Sequence, residues 1–165
     1  MARSFPTQCA IATAVGINLR FFRTRPSIWY AESPDLVHWG NHRCIVRPRD
    51  TFWEEMKIGG GAPCIKTTQG WLQVYHGKGH NQIYSLFTLL LDLDEPWRVL
   101  KRASVPFLRP EMPYETDGFF PNVVFSNGLV TWEDGRVFIY YGACDESACL
   151  LEITVAELLA SLDVA

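Results

Sequence analysis

A strand-like pattern that opens on glycine recurs three times and does most to constrain how this chain can fold. It reads Gly16-Ile-Asn-Leu-Arg-Phe-Phe-Arg23, then Gly70-Trp-Leu-Gln-Val-Tyr-His-Gly77, then Gly135-Arg-Val-Phe-Ile-Tyr-Tyr-Gly142. Each copy is rich in aromatic and β-branched residues, which suit a pleated, half-buried surface. Each is followed by a second apolar strand: Ile28–Ala31, Ile83–Leu90 and Ala148–Thr154. Repeats built only of strands and turns predict an all-β fold of blade-like sheets stacked side by side, because one such sheet cannot bury both faces alone. The plainer alternative is three unrelated hairpins in a sandwich. Three copies cannot close a ring, so a propeller made this way would be partial, with about three blades present. No long helix is expected, although Glu157–Leu162 reads as a terminal helical turn.

Composition bounds the rest. With 48% hydrophobic and 13% aromatic residues the chain has ample core material, and the composition argues against disorder. A net charge of -3 without a Lys/Arg cluster argues against a nucleic-acid partner. No stretch reaches the roughly 18 apolar residues of a membrane span, and no convincing signal peptide is read at the start. The five cysteines form no Cys-x-x-Cys pair and complete no zinc pattern with the histidines. Neither a metal nor a cofactor is expected, and free thiols suggest a cytoplasmic protein.

The candidate chemistry centres on Lys57–Gly77. Gly59, Gly60 and Gly61 lack β-carbons and are expected to turn sharply or to let a ligand approach closely. With Lys57 before them and His76 after, the segment could cradle an anion such as phosphate. An ordinary turn beside a solvated lysine is the competing reading. The run is neither a Walker loop nor a dinucleotide fingerprint. In the plainer reading Glu54 and Glu55 are only salt-bridge partners of Lys57, weak at a surface. Repeat symmetry puts Arg23, His76 and the Gly142–Asp145 turn at equivalent ends of neighbouring sheets, so that a cation, an imidazole and a carboxylate face one cavity. Asn122, at the entry to Val123-Val124-Phe125, either reaches a ligand or closes an Asx turn.

Several ordered motifs resemble glycoside hydrolase family 130, the β-mannoside phosphorylases and related mannosidases. They are Ser33-Pro-Asp-Leu-Val-His-Trp-Gly40, Lys57-Ile-Gly-Gly-Gly-Ala-Pro63, Gly70–Gly77, Leu90-Leu-Asp-Leu-Asp94, Pro121-Asn-Val-Val-Phe125 and Tyr140-Tyr-Gly-Ala-Cys-Asp145. The resemblance covers about residues 23–156, leaves residues 1–22 poorly matched, and groups 23–165 as the C-terminal blades of a five-bladed β-propeller. It implies inverting phosphorolysis of a β-mannoside, with inorganic phosphate as co-substrate and mannose 1-phosphate as product. It implies that Arg23, Lys57 and His76 bind phosphate, with Arg25 as a rival to Arg23. It implies that Tyr84, Pro121, Asn122 and Asp145 bind the sugar. Hydrolytic members of the family carry acidic residues where these cations stand, so the lysine and histidine favour phosphate over water. The family's general acid is an aspartate in the N-terminal half, and no aspartate precedes Asp35 here. No catalytic acid is therefore assigned, and the chain alone is expected to be inactive or poorly folded. A β-mannosidase and a non-catalytic carbohydrate-binding remnant are the alternatives. The partners expected are a β-mannose-containing disaccharide or oligosaccharide and phosphate; a homo-oligomer is compatible with these features.

Overall fold

The computed structural model describes residues 9–14 and 17–163. Residues 1–8 and Gly16, the opening glycine of the first repeat, lie outside the described residues. Among the described residues, twelve strands form three sheets with antiparallel pairing. The first sheet holds β1 (Cys9–Ala14), β2 (Ile17–Thr24), β3 (Ser27–Ser33) and β4 (Gly40–Val46) in chain order. The second holds β5 (Lys57–Gly60), β6 (Ile65–Lys66), β7 (Trp71–Lys78), β8 (Tyr84–Leu91) and β9 (Val99–Arg102), with β5 and β6 both paired to β7. The third is the meander β10 (Val124–Thr131), β11 (Arg136–Ala143) and β12 (Ser147–Thr154). The three repeated segments are thus β2, β7 and β11, each inside its sheet with a hairpin partner following.

Helix is confined to α1 (Pro113–Thr116), α2 (Val155–Ala160) and a 3₁₀ turn at Ser161–Asp163. Thr154 and Glu157 cap α2 reciprocally: the Glu157 amide donates to Thr154 Oγ1 at 3.2 Å, and the Thr154 amide donates to the Glu157 carboxylate at 2.8 Å.

The second sheet is the middle layer, which explains its sequence. Nearly every residue of β7 and β8 is buried, as expected of strands covered on both faces. Tyr75, Phe87, Leu89 and Leu91 pack with Phe21, Ile28 and Tyr30 of the first sheet. Leu72, Val74, Leu86 and Leu90 pack with Val124, Val137 and Ile139 of the third, where Leu158 of α2 joins them. Consecutive side chains of one strand therefore enter two different cores. At the start of β7, Gly70 has φ +153, and a β-carbon there would lie 2.3 Å from the Leu91 carbonyl oxygen. Only glycine fits that close approach.

The glycine run differs from its expected role as a turn. Gly59 and Gly60 lie within β5, in register with His76 and Tyr75 of β7. Their missing side chains make room for neighbours. A β-carbon on Gly59 would lie 2.6 Å from His76 Cε1 and 3.0 Å from Arg23 Cδ, and one on Gly61 would lie 2.9 Å from Ser126 Oγ. Gly59 and Gly60 belong to a regular edge strand and Gly61 follows it, and side chains of three sheets close up against the run.

Candidate active site

A cavity of about 540 Å³ opens where the three sheets meet. Arg23 comes from the first sheet, Lys57, Lys78 and Tyr84 from the second, and Phe125 from the third. The loop before β10 adds Phe120, Pro121 and Val123, and the β11–β12 turn adds Asp145.

Register sets the geometry. Lys57 is opposite Lys78, and Lys78 is opposite Tyr84, so the three lie in one row across β5, β7 and β8. Paired residues share a face. The Lys57 and Lys78 ammonium groups sit 4.8 and 5.0 Å from the centre of the Tyr84 ring, within cation–π range. The next row on that face is Gly59, His76 and Leu86. There the His76 ring is 4.5 Å from Phe125 and 6.1 Å from Tyr84, centre to centre.

Electrostatics separates these groups. Burial holds the Lys57 ammonium below its ordinary pKa, and the nearby Arg23 and Arg25 charges push the same way. Among the described residues Lys57 and Lys78 form no ion pair. The alternative reading, a bridge from Glu54 or Glu55 to Lys57, is not what forms. Glu54 turns to the other face of β7, where it accepts from Arg49, from Arg102 Nη2 at 2.6 Å and from the Tyr75 hydroxyl at 3.1 Å. Glu55 accepts instead from the His80 amide at 3.1 Å.

His76 is fully buried, and neither ring nitrogen has a hydrogen-bond partner. Burial, reinforced by Arg23 and Lys57, lowers its pKa to about 3. The imidazole is therefore neutral near pH 7 and offers one N–H donor rather than a charge. Both of its nearest rings, Phe125 and Tyr84, line the cavity, so it lies one layer behind the wall.

Asp145 is exposed at the cavity mouth with φ 58, directly after Cys144 with φ 52. Two consecutive left-handed residues are uncommon outside glycine and tend to mark functional sites. The turn is tied down by the Phe120 amide donating to the Cys144 carbonyl at 3.0 Å and the Cys144 amide donating to the Val123 carbonyl at 3.1 Å. Asn122, with φ 61, is not on the lining; its carbonyl accepts from the Tyr84 amide at 3.0 Å and fixes the loop to β8. Underneath, Glu115 is buried and accepts from the Glu111 and Met112 amides at 2.9 and 3.0 Å and from the Tyr141 hydroxyl at 2.7 Å. Burial raises its pKa, but those hydrogen bonds outweigh it and leave the carboxyl below its usual range.

The structure therefore brings Arg23, Lys57, Tyr84, Pro121 and Asp145 around one cavity, with His76 and Asn122 just behind it. Arg25, in the β2–β3 turn, is not on the lining. Lys78, Gln82, Phe120 and Phe125 are lining residues that the sequence did not single out. Strand alternation was a usable signal for Lys78, two residues beyond His76 and so on its face. A cationic wall, aromatic faces and one carboxylate suit a ligand with an anionic part and a polyhydroxylated part. Among the described residues no group of three or more His, Cys, Asp or Glu side chains could hold a metal ion, and no helix is long and apolar enough to cross a membrane.

Comparison with known proteins agrees. The family model described as β-1,4-mannooligosaccharide phosphorylase matches residues 4–164. A 1,2-β-oligomannan phosphorylase from Thermoanaerobacter sp. is 42% identical over 74% of this chain and 41% of its own length. A β-1,2-mannobiose phosphorylase from Listeria innocua is 40% identical over 83% of this chain and 38% of its own length. The structure of the Listeria innocua β-1,2-mannobiose phosphorylase with β-1,2-mannobiose superposes with a TM-score of 0.87 at 35% identity, covering 95% of this chain and 46% of that one. The chain spans about two fifths of the length of the curated relatives it matches. Taken with the cavity's residues, these matches mean that the chain belongs to glycoside hydrolase family 130, the family of the β-1,4-mannooligosaccharide phosphorylases.

Proposed function

We propose that this chain carries the phosphate-receiving side of a β-mannoside phosphorylase site, within three blades of a five-bladed β-propeller. The observation that carries the reading is the Lys57 ammonium. It is half-buried, close enough to Arg23 to have its pKa lowered, and forms no ion pair among the described residues. Phosphate supplies the missing negative charge, and charge-assisted hydrogen bonds to a phosphate are among the strongest in proteins. Arg23 adds a planar fork suited to two phosphate oxygens. His76 adds one N–H from the layer behind, through a small shift of ring against Gly59.

Chemically, a phosphate oxygen attacks the anomeric carbon of the mannosyl unit from the face opposite the glycosidic oxygen. The new carbon–oxygen bond forms as the glycosidic bond breaks, and inversion of a β-mannoside gives α-mannose 1-phosphate. The leaving oxygen takes up a proton, whose donor we assign outside these 165 residues. Arg23 and Lys57 lower the barrier by fixing a dianion beside an electron-rich sugar. Asp145 accepts from sugar hydroxyls, Tyr84 and Pro121 provide apolar walls, and Asn122 holds the loop that carries them.

Calorimetric titration with inorganic phosphate, paired with product analysis on β-mannobiose, tests this reading. The chain is expected to bind phosphate, and Lys57→Met to weaken binding by about tenfold or more. No phosphate binding, or mannose release that proceeds equally well without phosphate, would overturn it; the second result marks a hydrolase. Robust mannose 1-phosphate release by the chain alone would place the proton donor within it.

A further inference from the structure

Lys78 ends β7 and brings another cation to the cavity. It lies between Lys57 and Tyr84 in the row that crosses three strands. Like charges directly opposite one another on an antiparallel pair repel, and here Arg23 faces the same space. Most such pairs are relieved by a carboxylate or by turning one side chain to solvent. Neither happens. Glu54 and Glu55, the acids just before Lys57 in the chain, serve Arg49, Arg102 and the His80 amide, and Asp145, the carboxylate on the cavity lining, forms an ion pair with neither lysine. Both lysines stay half-buried, their ammonium groups held against the ring of Tyr84 at 4.8 and 5.0 Å.

The geometry points to Lys78 as a further anion-positioning residue, which shares the phosphate dianion with Lys57. This inference rests on the phosphate reading above and extends it by one residue. An ammonium carries three donors in no fixed plane, so two of them at one wall adapt to a tetrahedral anion better than a second guanidinium fork would. The dianion turns the repulsion between the two lysines into a shared attraction. Tyr84 then serves as the platform that keeps both ammonium groups at the wall, besides meeting the sugar. If Lys78 only packed on Tyr84, phosphate affinity would not depend on its charge, whereas it would if Lys78 were an anion ligand.

Phosphate and β-mannobiose are titrated separately into the 165-residue chain and its Lys57→Met, Lys78→Met and Lys78→Arg variants, each checked for native circular dichroism. Lys78→Met is expected to weaken phosphate binding about tenfold and to leave β-mannobiose binding unchanged, with Lys78→Arg recovering part of the loss. Lys78→Gln replaces the methionine variant if that one does not fold. Should Lys78→Met bind phosphate like the parent while Lys57→Met does not, this inference fails and the phosphate reading stands. Loss of β-mannobiose binding alone would also overturn it, by assigning Lys78 to the sugar. If the parent binds no phosphate, or Lys57→Met is as tight as the parent, the phosphate reading fails and takes this inference with it.

Discussion

Two neighbouring residues of β7 lead into two charge clusters built on opposite principles. Tyr75 faces the first sheet. There Glu54, fully buried, is enclosed by Arg49, Arg102 and the Tyr75 hydroxyl, and the two guanidiniums also donate to the Ala103 and Arg47 carbonyls at 2.6 and 2.8 Å. Each buried charge has its opposite within reach. His76 faces the third sheet, in the row beside Lys57 and Lys78. On that side lysines oppose each other and the buried imidazole has no hydrogen bond. The difference separates charge used to hold the chain together from charge kept available for something else. A buried ion pair tolerates no loss of a partner; an uncompensated cluster is set to gain one.

The comparison is broken most directly at Glu54. Replacing it with glutamine leaves Arg102 and Arg49 facing each other without an anion, and should cost about 3–5 kcal/mol. Urea denaturation followed by tryptophan fluorescence measures it, and phosphate affinity of the folded fraction should not change. A cost below about 1 kcal/mol would mean that this cluster behaves like a surface salt bridge.

The other face responds to pH. The unfolded imidazole takes a proton near pH 6.5, while folded His76 refuses it until about pH 3. As pH falls through that window the unfolded chain binds more protons than the folded one, so His76 lowers stability progressively; above pH 6.5 both forms are neutral and its contribution is constant. His76→Gln should flatten this part of the stability profile, read from urea midpoints between pH 3 and 7. An unchanged slope would mean that His76 is not buried neutral.

The smallest effect on stability, and the sharpest on the site, is expected at Gly59. In Gly59→Ala the new methyl must displace the His76 ring and Arg23, which lie 2.6 and 3.0 Å from the added carbon. Overpacking of this kind costs about 1–3 kcal/mol. Thermal unfolding reads that cost, and phosphate titration should show a larger proportional loss. Equal losses would make Gly59 a purely structural glycine.

Much of this arrangement was legible in the chain, for physical reasons. β7 and β11 announced themselves because glycine punctuates them and aromatic and β-branched residues fill them. The cavity's cast followed from their equivalence, since repeated strands carry their ends to corresponding places. What the sequence hid depends on pairing across strands. That Gly59 and Gly60 are ordinary strand residues, with the space at Gly59 used by His76 and Arg23, requires knowing what packs against β5. Glu54 stands three residues before Lys57 yet turns to the opposite side of β7, because Arg102 arrives from β9 to meet it. Lys78 belongs to no motif of its own, although strand alternation alone puts it on one face with His76. The neutrality of His76 was invisible for another reason: burial is a property of three sheets together.

The cavity belongs to no single sheet. Arg23, Lys57 and Asp145 are far apart in the chain and arrive on three different sheets. An occupant that touches all three binds only the docked arrangement, and so by mass action it favours docking over any state in which one unit has swung away. The guest would act as a clasp, and the rise in melting temperature it brings would report whether the three layers have closed.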